Sequence, residues 1–334
     1  MHLTLTSIRE DQPGPKWQAL FETYWPLYKR WFLSEGHLAR PGYLTSRRKL
    51  RQHMPELLPI YEQLVDLTGG GDLAARFLSF YCPPPYLSGC SQAVWSRSDP
   101  ILVRNYDYSP DLFEGNLLYT TWLRPVIAVS DSLWGVLDGL NDAGLAVSLT
   151  FGGRKLVGDG FGVPLLLRYL LEICEDTPSA AELLPRVPVH MPYNVTILDR
   201  SGALVTAYLS PDRAPVISTG PVCTNHQEKI EWADYARLTS TVERKEFLEA
   251  KLADPAETEK KFLRRFLHPP LYNTQFEKAF GTLYTAAYRP STGEAEYLWP
   301  GQATLRQSFA KFNEQKTVVN LKLARASFKT KTIS

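Results

Sequence analysis

Tyr86-Leu87-Ser88-Gly89-Cys90-Ser91-Gln92 is the seam of this 334-residue chain. Just before it stand Pro83, Pro84 and Pro85, which end a helix because the proline ring removes a backbone donor and crowds the preceding turn. Just after it the texture changes to short runs rich in β-branched and aromatic residues. A small residue and a thiol lie at the junction itself.

Working back from the seam, residues 14–89 read as helical. Residues 16–32 carry a dense apolar and aromatic stripe, and residues 57–67 and 72–80 follow with turn residues between them. Gly69-Gly70-Gly71 before Asp72 is a turn and N-cap, not a phosphate loop, since no Lys-Ser/Thr pair follows. Arg47-Arg48-Lys49-Leu50-Arg51 reads as a solvated helix face.

Working forward, strands are expected at 93–97, 101–105 and 117–123, and over 134–151 with a break at Asn141-Asp142-Ala143-Gly144. Two more hairpins are expected, 193–198 with 203–209 and 282–288 with 295–299, each around a turn rich in Gly, Ser, Asp or Pro. Helices interrupt them at 164–175, apolar nearly all round, and at 239–252, with a charged face. Hairpins with packed helices imply an α+β layered fold. Residues 311–334, with Lys311, Lys316, Lys322, Arg325, Lys329 and Lys331, read as a solvated, frayed basic tail.

With 44% hydrophobic residues the chain has the means to bury a large core. Its 37 basic and 35 acidic residues nearly cancel, which gives no reason to expect nucleic acid as a partner. The first eleven residues lack the apolar centre of a signal peptide and no apolar run can cross a bilayer, so a cytoplasmic protein with no membrane partner is expected. Cys82, Cys90, Cys174 and Cys223 are too sparse for a disulfide framework and read as free thiols. His2, His37, His53, His190, His226 and His268 lack metal-ligand spacing, so neither a metal nor any other cofactor is expected.

A lone cysteine at a strand start is more often a small buried hydrophobe than a nucleophile. Arg104 and Asp107 alter that balance, because they lie in the strand after the next turn, where a hairpin can return them to Cys90. A thiolate needs nearby positive charge, and an arginine held by a carboxylate is a cation that cannot lose its proton. The same residues are equally compatible with a plain Arg-Asp pair bracing two strands.

Several separated motifs then match in order. Gly89-Cys90, Arg104-Asn105-Tyr106-Asp107, Asn141-Asp142-Ala143-Gly144-Leu145-Ala146-Val147, Thr224-Asn225-His226, Thr241-Val242-Glu243-Arg244 and Gly281-Thr282-Leu283-Tyr284-Thr285-Ala286 resemble those of the penicillin acyltransferase-like and choloylglycine hydrolase-like members of the N-terminal-nucleophile hydrolase superfamily. The likeness covers residues 88–301 and implies a four-layer αββα sandwich, two antiparallel sheets between helical layers. In that frame residues 1–89 are a helical prefix, a small subunit if cleaved, 90–310 the catalytic domain and 311–334 the tail.

The resemblance implies an autoproteolytic enzyme. The Cys90 thiol attacks the Gly89 carbonyl, the acyl group shifts from nitrogen to sulfur, and hydrolysis frees Cys90 as a new N-terminus. Its α-amine, with a reference pKa of about 8, then serves as the base. The substrate class is a small-molecule linear amide or acyl thioester, hydrolysed or passed to an amine through a thioester on Cys90.

Residue by residue, Asn225 matches the oxyanion donor, with a backbone N–H as partner, although on its own it could be a strand-end turn. Arg244 is expected to hold the Asp107 or Asn225 region from its helix, with a surface i,i+4 pair as the bland alternative and Arg237 as a competitor. Thr150 departs from the asparagine or tyrosine of relatives, and its hydroxyl either contacts the oxyanion or packs. The short turn at 97–101 also departs from the longer insertions of some relatives. Gly152-Gly153 and Gly158-Asp159-Gly160 suit a plain connector or a rim beside the site. Two rival readings remain: a non-catalytic ligand-binding or assembly protein with Cys90 uncut, and an internal Cys-His hydrolase using His226. The cleaved prefix as a bound partner and a homo-oligomer stay open.

Overall fold

The computed structural model describes residues 1–276 and 280–321. Before the seam lie strand β1 (His2–Arg9) and helices α1 (Pro15–Phe32), α2 (Tyr43–His53), α3 (Leu58–Leu67) and α4 (Asp72–Leu78). After it come strands β2 (Gly89–Trp95), β3 (Ile101–Tyr108), β4 (Asn116–Thr120), β5 (Val126–Asp131), β6 (Gly135–Asn141) and β7 (Leu145–Phe151), then helices α5 (Val163–Ile173) and α6 (Thr177–Leu183). Strands β8 (Tyr193–Asp199), β9 (Leu204–Ser210), β10 (Arg213–Ser218) and β11 (Val222–Cys223) precede helices α7 (Ala233–Leu238), α8 (Thr241–Ala253) and α9 (Glu259–Arg265). The chain closes with β12 (Thr274–Gln275), β13 (Phe280–Arg289), β14 (Glu294–Leu298), β15 (Leu305–Ser308) and β16 (Gln315–Asn320).

Two sheets result. One runs β10-β9-β8-β7-β6-β5-β4-β1-β16, and the other β11-β2-β3-β13-β14-β15 with β12 beside β13. Strands β2 and β3 pack on β7, so the sheets lie face to face, while α5 covers β5, β6 and β7 from outside and α8 covers β2 and β11. The α+β class and the αββα layering expected from the sequence are therefore present. Both faces of the inner strands are buried: Leu102 and Tyr106 of β3 join the core between the sheets, whereas Ile101 and Val103 join a second core with Leu248 and Phe262. Such strands read as continuous apolar runs instead of alternating ones.

The turn at Asn141-Asp142-Ala143-Gly144 shows how local chemistry sets register. Gly144 adopts φ +83°, which a glycine tolerates without a side-chain clash. Asn141 accepts the Leu145 N–H at 2.9 Å and donates to the carbonyls of Leu171 (2.9 Å) and Cys174 (2.8 Å). One side chain thus closes the hairpin and satisfies the last turn of α5, whose carbonyls lack intrahelical partners.

The prefix is not purely helical, which corrects the reading of residues 1–89. β1 lies inside the nine-stranded sheet, antiparallel to β16 from His2↔Asn320 to Ser7↔Gln315 and parallel to β4 from Thr6↔Asn116 to Arg9↔Tyr119. The parallel pair also means that this sheet is not wholly antiparallel. The aromatic stripe of α1 is covered from other elements: Phe77 of α4 lies 5.5 Å from Trp25 and 5.0 Å from Tyr28, and the Trp17 indole N–H donates to Leu133 O at 3.1 Å.

The tail reading is corrected in the same place, since β16 is hydrogen-bonded into the sheet and is not frayed. Lys322, Arg325, Lys329 and Lys331 lie outside the described residues. The helix expected at 239–252 begins at Thr241, after Ser240 with φ +48°. Between α4 and β2, the chain is stitched to the loop after β7: Cys82 N–H donates to Gly160 O and Gly162 N–H to Phe80 O, both at 2.8 Å.

Candidate active site

β2 and β3 form a hairpin in which Cys90 lies opposite Tyr106, Gly89 opposite Asp107 and Gln92 opposite Arg104. Side chains alternate along a strand, so Cys90, Gln92, Arg104 and Tyr106 face the space between the sheets, while Ser91 and Asp107 face the α8 side. Cys90 and Arg104 therefore share one face of the hairpin, and Asp107 lies on the other.

Cys90 is fully buried. Arg104 Nη2 donates to its Sγ at 3.1 Å, and Arg104 Nη1 donates to Asp138 Oδ2 and to Leu137 O, each at 2.6 Å. Asp138 belongs to β6 of the facing sheet and accepts the hydroxyls of Tyr284, at 2.5 Å, and Tyr288. The guanidinium also stands over the Tyr106 ring, 4.9 Å from its centre. Burial holds the Cys90 thiol above its ordinary value; the Arg104 charge and hydrogen bond and the Asp107 backbone N–H offset part of the rise, and the Asp107 charge adds to it.

The carboxylate that holds Arg104 is thus Asp138 and not Asp107. Three residues along a strand put a side chain on the opposite face, so Asp107 cannot share a face with Arg104. Asp107 Oδ1 instead accepts from Thr282 Oγ1 at 2.6 Å, and Oδ2 lies 3.8 Å from Arg244 Nη1. Burial pushes its carboxyl up to about 6, against the opposing pull of Arg244 and Thr282.

Arg244 reaches in from the first turns of α8. It donates from Nη1 to Cys90 O at 2.6 Å and Ser91 Oγ at 2.8 Å, from Nη2 to Asn225 Oδ1 at 2.8 Å, and from Nε to Thr239 O at 2.8 Å. It therefore touches both regions considered for it. Arg237 is exposed and paired with Asp234.

Asn225 Oδ1 accepts the Cys90 N–H at 2.9 Å, and its Nδ2 donates to Ser88 O at 3.2 Å and Phe151 O at 3.4 Å. Its backbone is held by Asn194, whose Nδ2 donates to the two flanking carbonyls, Thr224 O at 2.9 Å and His226 O at 3.0 Å. Thr150 belongs to this strut: its hydroxyl donates to Thr224 O at 2.9 Å and accepts from Asn194 at 3.0 Å. Among the described residues it makes no hydrogen bond to Cys90. The His226 ring bonds Thr241 Oγ1 at 2.9 Å, with Thr224 Oγ1 at 3.3 Å, and burial lowers its pKa to about 4. Among the described residues no hydrogen bond joins this ring to Cys90.

The junction is tightly set. The Cα of Gly89 lies against the Phe280 ring, where an added Cβ would stand 2.1 Å from Cζ, so any larger residue must displace that ring or the strand. The Tyr235 hydroxyl, on α7, donates to Ser88 O at 2.6 Å. A cavity of about 580 Å³ opens on the α8 side of the hairpin, lined by Asp107, Ser240, Arg244, Tyr272 and Phe280, with neither Cys90 nor Tyr235 in its lining. A larger cleft of about 840 Å³ lies against Lys261, Arg264 and Trp299 and includes none of these site residues. The loop at 152–160 is anchored: Arg154 donates to Asp212 at 2.7 and 2.8 Å and to Glu231 at 2.7 Å.

Asp138, Tyr235 and Asn194 were not among the residues expected from the sequence. Asp138 left one usable signal, a lone carboxylate inside an apolar strand. Tyr235 and Asn194 left none. Among the described residues no group of three or more His, Cys, Asp or Glu is arranged to hold a metal ion, and no helix is long and apolar enough to cross a membrane.

Three solved structures are similar at low identity. Penicillin V acylase from Agrobacterium tumefaciens is 14% identical, with a TM-score of 0.48 over 66% of this chain and 87% of that one. A mutant of conjugated bile acid hydrolase from Clostridium perfringens is 13% identical, with a TM-score of 0.46 over 69% and 96%. An N-acylethanolamine-hydrolyzing acid amidase ortholog from Caenorhabditis elegans is 16% identical, with a TM-score of 0.47 over 70% and 100%. No curated protein matches the sequence. The family model for acyl-coenzyme A:6-aminopenicillanic acid acyl-transferase matches residues 95–304, beginning just downstream of Cys90. That match spans well over half of the sequence, and the chain belongs to this acyl-transferase family.

Proposed function

We propose that this protein is a cysteine N-terminal-nucleophile enzyme that cuts itself between Gly89 and Cys90 and then hydrolyses a linear amide, or passes its acyl group to an amine. The observation that carries the reading is the Arg104 guanidinium, 3.1 Å from the Cys90 Sγ and pinned from behind by Asp138. A permanent cation on a buried sulfur favours the thiolate, the nucleophilic form. Two buried charges held this closely are costly to maintain for packing alone, which weighs against a binding protein that merely keeps the fold.

In the uncut chain the Cys90 sulfur attacks the Gly89 carbonyl carbon. A C–S bond forms, the C–N bond breaks, and the thiol proton passes to the departing Cys90 amine. Water then cleaves the thioester, leaving a Gly89 carboxylate and a free thiol. In the mature form the Cys90 amine, with a reference pKa of about 8, takes the thiol proton at neutral pH. Arg244 on Cys90 O and Asp107 opposite Gly89 are placed to fix the new terminus. In this reading the Asn225 amide, which donates to Ser88 O in the uncut chain, donates to the oxyanion. Collapse of the tetrahedral intermediate expels the amine with the proton, and water or a second amine removes the acyl group from sulfur.

N-terminal sequencing of purified protein tests this. Wild type is expected to yield a second sequence beginning Cys90-Ser91-Gln92, and Cys90→Ala a single one. An uncut wild type with Cys90→Ala unchanged toward amide substrates contradicts the reading.

A further inference from the structure

The carbonyl oxygen of Ser88 is held by two donors at once. The Tyr235 hydroxyl lies 2.6 Å from it and Asn225 Nδ2 3.2 Å, and both donors are buried. This oxygen belongs to the residue next to the scissile peptide, so the cut that frees Cys90 also frees Ser88 to withdraw. Two convergent donors aimed at one carbonyl oxygen beside a nucleophile are the arrangement that stabilises an oxyanion.

We propose that Tyr235 is a catalytic residue, the second oxyanion donor beside Asn225, and that Ser88 O occupies the oxyanion position in the uncut chain. The inference rests on the proposed Cys90 chemistry. When the Cys90 sulfur adds to the substrate carbonyl carbon, the C–S bond forms and the carbonyl π pair moves to oxygen. Asn225 and Tyr235 donate to that oxygen until the pair returns and the C–N bond breaks, with the amine leaving protonated.

The supports of Tyr235 suit this task. Its ring packs edge-on against Phe151 at 5.2 Å and stacks on Trp232 at 5.1 Å, so the hydroxyl is pre-aimed and does not need to be ordered by substrate. Burial raises its pKa, which keeps the phenol protonated, as a donor, throughout the working range of a thiol enzyme. Thr150 does not compete for the role, because its hydroxyl is committed to Thr224 O.

Tyr235→Phe tests this, since it keeps the ring and removes only the donor. The rate at which a p-nitrophenyl ester acylates Cys90 is followed by intact mass after self-cleavage. The expected result is normal self-cleavage, unchanged alkylation of Cys90 by iodoacetamide, and acylation slowed about a hundredfold, in line with the loss of one oxyanion donor. Acylation within twofold of wild type overturns the proposal for Tyr235 alone. A Tyr235→Phe chain that stays uncut makes Tyr235 a clamp for the junction and also overturns it. A wild type that forms no adduct on Cys90 removes the underlying chemistry and this assignment with it.

Discussion

Arg104 bridges the two sheets, with one nitrogen 3.1 Å from the Cys90 sulfur on its own sheet and another 2.6 Å from the Asp138 carboxylate on the facing one. The reactivity of the thiol is thereby tied to how the sandwich closes. Arg104→Gln is expected to move alkylation of Cys90 in the cleaved enzyme to higher pH and to cut turnover by two orders of magnitude or more. It also leaves Asp138 buried without its cation, which costs about 3–5 kcal/mol. A pH series of iodoacetamide labelling and a denaturant melt read the two effects separately.

Gly89 and Phe280 form the second test. Because a Cβ at Gly89 would meet the Phe280 ring at 2.1 Å, Gly89→Ala must displace either the ring or the scissile peptide. Self-cleavage is expected to stop in Gly89→Ala and to recover in part in Gly89→Ala with Phe280→Ala. Recovery of cleaved fragments on denaturing gels checks this, and a double variant as inert as the single one removes the steric explanation.

The prefix is expected to remain bound after the cut. β1 is hydrogen-bonded on both edges, to β4 and β16, and cannot leave without opening the nine-stranded sheet. Trp17, Phe21 and Phe77 also belong to the common core. Cleaved protein should run as one species by native size exclusion and as two fragments in denaturant.

Asp107 gives the chain a pH dependence. Its carboxyl, raised by burial to about 6, is neutral below that pH and anionic above it. Only the anion pairs with Arg244, which lies 3.8 Å away and holds Cys90 O. Self-cleavage should therefore rise between pH 5 and 7 with a midpoint near 6, and Asp107→Asn should lose that limb. A wild-type profile flat across this window contradicts the role given to Asp107.

Much of this architecture was legible because its signals are local. The Asn141-Asp142-Ala143-Gly144 turn carries its own φ requirement and its own capping side chain, and the hairpins of β8 with β9 and β13 with β14 are closed by short polar turns. β1 had a visible alternation, with Leu3 and Leu5 buried between exposed His2 and Thr4, but its partners lie more than a hundred residues away. β16 is an edge strand, largely exposed, and shows little pattern of its own.

The site divides along the same line. Cys90, Arg104 and Asp107 sit in one hairpin and could be read together, while Asn225 and Arg244 came through the motif resemblance. The pairing of Arg104 with Asp107 ignored the two-residue period of a strand, which sends them to opposite faces. Asp138 and Tyr235 reach the site only through sheet stacking and the placement of α7, and neither is encoded in neighbouring sequence.

The most direct measurement is the intact mass of the cleaved protein quenched during turnover of an activated acyl ester. A fragment beginning at Cys90 that carries one acyl group, released by hydroxylamine and absent in Cys90→Ala, is the predicted result. A full-length 334-residue chain whose Cys90 never acquires the acyl group would contradict it.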